Sequence, residues 1–211
     1  MITVALIDDH AAIRLGLSMI LSREEDMEVV AEAGNGASAV TVVRTHQPDV
    51  VLMDIRLPGV DGIEATRQIT GSTRSNVLIL TTFDLDEYVF GALRAGASGF
   101  LLKTASADEL THAVRSVAAG DGVLAPQAAR TLIGEFVRSA PTSVVPAGLG
   151  ELTGRERQVL ALLGTGMSNA ELAHRLGVSA PTVKTHVSRV LSKLNLTSRV
   201  QAAILAHELG L

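Results

Sequence analysis

Five residues whose side chains suit phosphoryl chemistry follow aliphatic runs of strand length in the first half of the chain. They are Asp8, Asp9, Asp54, Thr82 and Lys103. Three neighbouring carboxylates repel one another unless a hard divalent cation joins them, and Mg²⁺ prefers such oxygen ligands. A cation and an ammonium can neutralise phosphoryl oxygens while a carboxylate attacks phosphorus. The set therefore predicts a magnesium-dependent phosphoryl-transfer site, provided that the fold brings its members together.

The elements around these residues predict that convergence. Helical patterns near 11–22, 36–46, 62–70, 86–96 and 107–119 alternate with apolar runs at 3–8, 28–33, 50–54, 77–82 and 98–103. Strict alternation of strand and helix implies right-handed crossovers and a doubly wound parallel sheet. The carboxyl ends of its strands share one edge, where such sheets bind ligands.

Each residue alone has an ordinary explanation. An Asp after a strand is more often a turn former than a ligand, and a Lys there is usually just solvated. Asp61-Gly62 is interpreted as a turn. The predicted meeting of three acids, a hydroxyl and an ammonium at one edge is what favours the chemical interpretation.

The motifs of this half resemble the receiver domains of two-component systems. They are Asp8-Asp9, Asp54 at the end of a buried run and followed by Leu57-Pro58-Gly59, Asp61-Gly62, Thr82, and Phe100-Leu-Leu-Lys103. The resemblance covers about residues 1–120. It implies an α/β CheY-like fold, with five parallel strands in the order 2-1-3-4-5.

The resemblance also implies roles for individual residues. Asp54 would accept a phosphoryl group from a sensor histidine kinase. Mg²⁺ would be held by Asp8, Asp9, Asp54 and the backbone carbonyl of Arg56. Thr82, Phe100 and Lys103 would form the switch, in which the Thr hydroxyl turns towards the phosphoryl group and the Phe ring rotates inward. Two positions depart from the pattern: Thr104 stands where many receivers have Pro, and Phe83 where many have a small residue that leaves the site more open.

The chain changes character after residue 120. Residues 1–150 hold 11 Lys+Arg and 18 Asp+Glu, a net of −7, whereas residues 151–211 hold 7 and 4, a net of +3. Residues 121–150 read as a linker with a helix at 126–138. Residues 151–211 predict four helices, with capping boxes at Thr153–Glu156, Ser168–Glu171 and Ser198–Gln201. We therefore predict a domain at 1–120, a linker at 121–150 and an all-α domain at 151–211.

The third helix of the second domain has an apolar face and an opposite polar, partly cationic face. Val183, Val187 and Val190 lie on the first, and Lys184, Thr185, Ser188 and Arg189 on the second. Such a helix can enter a major groove. An ordinary amphipathic surface helix fits the spacing equally well, so the pattern alone leaves both interpretations open.

Three motifs resemble the LuxR-type helix-turn-helix, and with the receiver they resemble NarL/FixJ-type response regulators. They begin at Leu152-Thr-Gly-Arg-Glu156, Gly166-Met-Ser-Asn169 and Thr182-Val-Lys184. The resemblance implies base contacts from Lys184, Thr185 and Ser188, and phosphate contacts from Thr182, His186, Arg189 and Lys193. It implies a dimer contact on the last helix through Val200, Ala203, Ile204 and His207. We interpret Glu156, Asn169 and Glu171 as structural, and every histidine except His186 as structural or solvated.

The predicted function is a transcription regulator that phosphorylation turns into a DNA-binding homodimer on paired half-sites. Two alternatives remain: a pseudo-receiver that binds DNA regardless of phosphorylation, and a Mg²⁺-dependent phosphohydrolase with Asp54 as nucleophile. The complete acidic set weakens the first, and the absence of a cap insertion weakens the second. We expect no enzyme activity beyond self-phosphorylation and slow autodephosphorylation. The chain has no cysteine, apolar spanning run or signal-peptide pattern, so we expect a cytoplasmic protein without membrane contact.

Overall fold

The computed structural model describes residues 1–81, 91–124 and 148–211. In the N-terminal part the elements follow one another as β1 (Ile2–Ile7), α1 (Ala11–Leu21), β2 (Met27–Ala33), α2 (Gly36–His46), β3 (Val50–Asp54), α3 (Gly62–Thr70), β4 (Asn76–Thr81), β5 (Gly99–Leu102), α4 (Ala107–Ala118) and β6 (Val123–Leu124). Residues 91–94 are also helical, at the end of the helix predicted over 86–96. The predicted end at residue 96 was wrong by two residues, because residues 95–96 form a turn in which Gly96 has a positive φ. Residues 86–90 of that helix and the helix predicted at 126–138 lie outside the described residues.

The strands form one parallel sheet in the order β2-β1-β3-β4-β5-β6. This confirms the predicted five-strand order. The sixth strand, with two residues, was not predicted. It pairs with β5 at Gly99–Val123 and Phe100–Leu124, so the segment after α4 extends the sheet by one short edge strand.

Alternate residues of the strands point into two separate cores, one on each side of the sheet. Ala5, Ile7, Met53 and Ile79 pack with α2 and α3 on one side. Val4, Leu6, Leu52 and Leu80 pack with α1 and α4 on the other, and all these strand residues are almost fully buried. Coverage on both faces is why the strands read as continuous apolar runs. The two layers hold the strand ends in register at the carboxyl edge.

The C-terminal part is helical throughout its described length. A short 3-10 turn (Leu149–Glu151) precedes α5 (Gly154–Gly164), α6 (Asn169–Leu176), α7 (Ala180–Lys193) and α8 (Arg199–Glu208). Thr153 and Ser168 close the predicted capping boxes of α5 and α6. Ser198 caps α8, but the box predicted there is not closed, because Oε1 of Gln201 accepts from the backbone N–H of Thr197 instead. A third core of Leu and Val side chains joins the four helices. None of the helices in the described ranges has the length and apolar character that a membrane crossing requires.

Candidate functional site

Asp8 and Asp54 lie close together at the carboxyl edge of the sheet. Their strands are adjacent, and Ile7 pairs with Met53 at the end of the β1–β3 ladder. Both residues are buried, with 2% and 6% of their surface exposed. Two carboxylates that are so little accessible to water need a positively charged partner.

That partner is Lys103, directly after β5. Its Nζ lies 2.5 Å from Oδ2 of Asp8 and 2.7 Å from Oδ2 of Asp54. The backbone N–H of Lys103 donates to the carbonyl of Thr81, which fixes where the side chain starts. Burial alone would lower the pKa of Lys103, but the hydrogen bonds to Asp54 and Asp8 outweigh it and raise that pKa above its ordinary value. The lysine is therefore held as an ammonium between the two acids.

Asp9 and His10 form the outer rim of the same site. The Asp9 side chain is 36% exposed, and its Oδ1 lies 2.6 Å from Nδ1 of His10. The Nδ1 atom is also 3.4 Å from Oδ1 of Asp8, whose Oδ1 accepts from the backbone N–H of His10 at 2.9 Å. Ligand atoms of Asp8, Asp9 and His10 lie within 4.8 Å of one another. The sequence predicts a structural or solvated His10. Its place beside the acids follows from its position in the chain, directly after Asp9.

Arg14 supports the acidic loop from α1, a contact that the sequence analysis did not anticipate. Its Nη1 donates to the backbone carbonyl of Asp8 at 2.7 Å, and its Nε to Glu32 at 3.1 Å. Arg14 is the one charged residue in α1. A lone cation in an otherwise uncharged helix was the signal that could have indicated a paired role.

The loop after β3 completes the rim. Asp9, Arg56 and Asp61 line a cavity of about 520 Å³ together with Ile55, Leu57, Pro58 and Ile63. Asp61 accepts from the backbone N–H of Glu64 and begins α3, so the predicted turn is also a helix cap. A Cβ on Gly62 would overlap the carbonyl oxygen of Asp54. The loop can therefore fold back over the end of β3 because residue 62 has no side chain.

The donor chemistry at this edge fits Mg²⁺. The side chains of Asp8, Asp9 and Asp54 offer hard carboxylate oxygens, and Arg56 lies on the adjoining loop. Phe100 is 2% exposed and packs into the core between the sheet and α3. Thr82 lies outside the described residues. The arrangement thus combines buried carboxylate oxygens with an ammonium at one edge of the sheet.

The polar face of α7 is exposed, as its periodicity predicts. Val183, Val187 and Val190 are buried, whereas the predicted DNA-contacting positions of this helix are largely open. The exposed ones are Thr182, Lys184, Thr185, Ser188 and Arg189, and His186 is half-buried. Within the described ranges, Nδ1 of His186 is buried without a hydrogen-bond partner.

Lys193, at the end of α7, is engaged inside its own domain. Its Nζ donates to Oε2 of Glu156 at 2.7 Å and to the carbonyl of Glu151 at 3.0 Å. The hydrogen bond from Lys193, together with those from Thr153, lowers the pKa of Glu156 to about 2. Glu156 and Glu171 both close capping boxes, which agrees with their structural interpretation.

Family models match both parts of the chain. Residues 4–115 match the response regulator receiver domain, and residues 150–206 match the bacterial regulatory proteins of the luxR family. The chain belongs to the two-component response regulators with a LuxR-type DNA-binding domain. Receiver domains typically bind Mg²⁺ at an acidic pocket such as the one that contains Asp8 and Asp9.

Relatives and solved structures agree over the whole length. The chain is 41% identical over 216 residues to transcriptional regulatory protein LnrK of Bacillus subtilis, covering 100% of this chain and 98% of that protein. It is 38% identical over 208 residues to LiaR of the same organism, covering 98% and 97%. The structure of response regulator ChrA, from a heme-sensing two-component system, is 39% identical with a TM-score of 0.54, covering 99% and 98%.

In this response regulator the helix α8 packs against the receiver domain. Val200 is 5% exposed and belongs to the same apolar core as Phe100, and Ile204 packs against that core. Nε2 of Gln201 donates to the carbonyl of Arg94 at 2.9 Å. Of the four predicted dimer-contact residues, Val200 is thus covered, Ala203 and Ile204 are half-buried and His207 is exposed.

Part of the polar face of α7 borders a cleft that it shares with the receiver domain. Lys184 and Ser188 line a cleft of about 460 Å³ whose opposite wall includes Asn76 and Ser98. Asn76 begins β4 and Ser98 precedes β5, so this is the edge of the sheet opposite Asp54. Two predicted base-contacting residues therefore face another part of the same chain.

Proposed function

We propose that this response regulator is a transcription factor whose Asp54 accepts a phosphoryl group from a sensor histidine kinase, and that phosphorylation promotes dimerisation and promoter binding. The observation that supports it most strongly is the Lys103 ammonium shared by the buried carboxylates of Asp8 and Asp54. Catalytic phosphate sites use such a cation because it stabilises charge on the transferring oxygens. Because DNA is the proposed partner, we infer the cytoplasm as the place of action.

The transfer is a substitution at phosphorus. A carboxylate oxygen of Asp54 forms a P–O bond, and the P–N bond to the kinase histidine breaks, with the electron pair going to the imidazole. Bound Mg²⁺, held by Asp8, Asp9, Asp54 and the Arg56 carbonyl, would supply positive charge to the phosphoryl oxygens. Lys103 would exchange its contact with the Asp54 carboxylate for one with a phosphoryl oxygen.

The switch is proposed to run through Thr82 and Phe100. Phosphorylation adds about 1.5 to 2 negative charges and new acceptor oxygens. Thr82 would donate its hydroxyl to them, and the Phe100 ring would adjust within its core. A local electrostatic change would thereby alter the packing of β5 and the elements around it.

The DNA contacts are proposed for the exposed face of α7. Lys184, Thr185 and Ser188 would face bases, and Thr182, His186, Arg189 and Lys193 would face phosphates. Lys193 would have to leave Glu156 to do so. The dimer contact would use Val200, Ala203, Ile204 and His207 on α8, once the receiver domain no longer covers Val200.

A phosphohydrolase remains the competing function. It would need turnover of a phosphoester, whereas the present proposal expects one phosphoryl group per chain and slow loss. Full-length protein is incubated with acetyl phosphate and Mg²⁺, and intact mass and light scattering are recorded for the wild type and Asp54→Ala. We expect a single phosphoryl adduct and a dimer for the wild type, and neither for the variant. Multiple turnover, or an adduct on Asp54→Ala, would contradict the proposal.

A further inference from the structure

The turn at residues 119–122, between α4 and β6, connects the receiver domain to two helices of the DNA-binding domain. Nη1 of Arg199 donates to Oδ1 of Asp121 at 2.6 Å and to the carbonyl of Gly120 at 3.1 Å. The backbone N–H of Asn169 donates to the same Oδ1 at 2.9 Å, and its Nδ2 donates to the carbonyl of Ala119 at 3.1 Å. One carboxylate thus binds the first residues of both α6 and α8.

The Asp121–Arg199 pair is sheltered from water. The Arg199 side chain is 9% exposed, and its guanidinium also contacts the carbonyl of Met167 and Oδ1 of Asn169. Burial lowers the pKa of Arg199, and the charge of Asp121 opposes that effect. Removing one partner of such a pair leaves the other charge in the interface without its counter-ion, so a substitution at Asp121 should disfavour the closed arrangement.

The same turn leads directly into β6, the two-residue strand on β5. Leu124 pairs with Phe100, the proposed switch residue, and Val123 with Gly99. Between the strand and Asp121 lies Gly122, where a Cβ would be 2.8 Å from Cγ2 of Val200. A single residue, Gly122, therefore separates Asp121 from the strand that pairs with Phe100 of β5.

We propose that residues 119–124 are the release element of the regulator. At rest β6 stays on β5 and Asp121 holds Arg199. Val200 of α8 remains covered, and Lys184 and Ser188 of α7 border the cleft that they share with the receiver domain. When β5 rearranges around Phe100, β6 leaves the edge of the sheet and the Asp121–Arg199 pair opens. A two-residue edge strand suits this task because little pairing has to be lost. The trigger, which is phosphorylation of Asp54, rests on the proposed function. The ion pair between Asp121 and Arg199, called the clasp below, does not.

The chain has no cysteine, so a disulfide between introduced thiols can report the closed state. The reporter is the full-length chain with Gly122→Cys and Val200→Cys, whose side chains would meet within disulfide reach. We expect the intramolecular disulfide to form readily at rest. Beryllofluoride with Mg²⁺ should slow its formation by about tenfold or more, the size of a typical coupling between sites.

Asp121→Asn in the reporter tests the clasp without any phosphoryl analogue. It should slow disulfide formation by about tenfold, and in the cysteine-free chain it should raise the affinity for a short DNA duplex of arbitrary sequence by a similar factor. Asp108→Asn is the matched control, because Asp108 is an exposed acid at the other end of α4. It should change neither quantity. Unchanged disulfide formation in Asp121→Asn would overturn the clasp.

The effect of beryllofluoride tests separately whether phosphorylation of Asp54 opens the clasp. If beryllofluoride raises DNA affinity of the wild type but leaves the disulfide rate unchanged, residues 119–124 are not the release element, and the proposed function stands. If beryllofluoride changes neither, the proposed function and its trigger fail together, and the result for Asp121→Asn still decides the clasp.

Discussion

Lys103 contacts two buried carboxylates at once. Replacing it should show how much the stability of the site depends on positive charge. Lys103→Met leaves Asp8 and Asp54 facing each other without a cation. We expect a loss of roughly 3 kcal/mol in the free energy of unfolding without Mg²⁺, as for other broken buried ion pairs. Mg²⁺ should restore more of that stability in the variant than it adds to the wild type. Urea unfolding with and without Mg²⁺ measures both, and an equal effect of Mg²⁺ on the two proteins would argue against a cation site there.

Gly62 lies where a methyl group would overlap the carbonyl of Asp54. Gly62→Ala should therefore displace the loop that carries Arg56, lower stability by about 1 to 3 kcal/mol and slow phosphorylation by acetyl phosphate. Gly16→Ala is the control, because nothing lies within 4 Å of a Cβ at that exposed helical position. Thermal unfolding and intact mass follow the two effects. Equal stability of the two variants would mean that the close approach at Gly62 has no structural consequence.

At the scale of elements, α5 and the end of α7 are joined by Glu156 and Lys193. The pKa of Glu156 is depressed from 4.5 to about 2, so the folded state prefers the ionised carboxylate. Its stabilisation is fully present above pH 4.5 and is lost as the pH falls towards about 2. Urea midpoints across that interval should fall more steeply for the wild type than for Glu156→Gln. Parallel curves would show that this ion pair does not contribute to the pH dependence.

The helix α7 offers two cations in different situations, which makes a paired test of DNA binding possible. Arg189 is exposed, whereas Lys193 is bonded to Glu156. Arg189→Ala should reduce the slope of log affinity against log salt by about one, as the loss of one phosphate contact requires. Lys193→Ala should reduce it by less. Fluorescence anisotropy over a salt series measures both, and a larger effect for Lys193 would reverse the assignment of the phosphate contacts.

At the scale of the molecule, sequence patterns predicted five parallel strands because buried parallel strands read as uninterrupted apolar runs, whereas their order came from the resemblance to receiver domains. The convergence of Asp8, Asp54 and Lys103 followed from topology alone. Contacts between domains were not predictable in this way. The Asp121–Arg199 pair joins residues 78 positions apart in the chain, and β6 has only two residues, too few for any periodicity. Thr82 and the helix predicted at 126–138 lie outside the described residues and stay predictions.

The contacts between the receiver domain and the DNA-binding domain are what the proposed phosphoryl switch would have to break. Lys184 and Ser188, two of the proposed base contacts, and Val200 of α8 all lie beside the receiver domain, so one domain movement could free all three. Population shift of this kind requires that the phosphorylated receiver favour the open state by a finite free energy. We therefore expect a change in DNA affinity that is lost when Asp54 is replaced.

The most direct measurement is the DNA affinity of the full-length protein, untreated and treated with beryllofluoride and Mg²⁺, for the wild type and Asp54→Ala. We expect treatment to tighten binding by the wild type about tenfold or more, with dimers appearing in parallel, while Asp54→Ala stays at the untreated value. Equal binding by both proteins, with or without treatment, would contradict this expectation and identify the receiver domain as a part that does not control DNA binding.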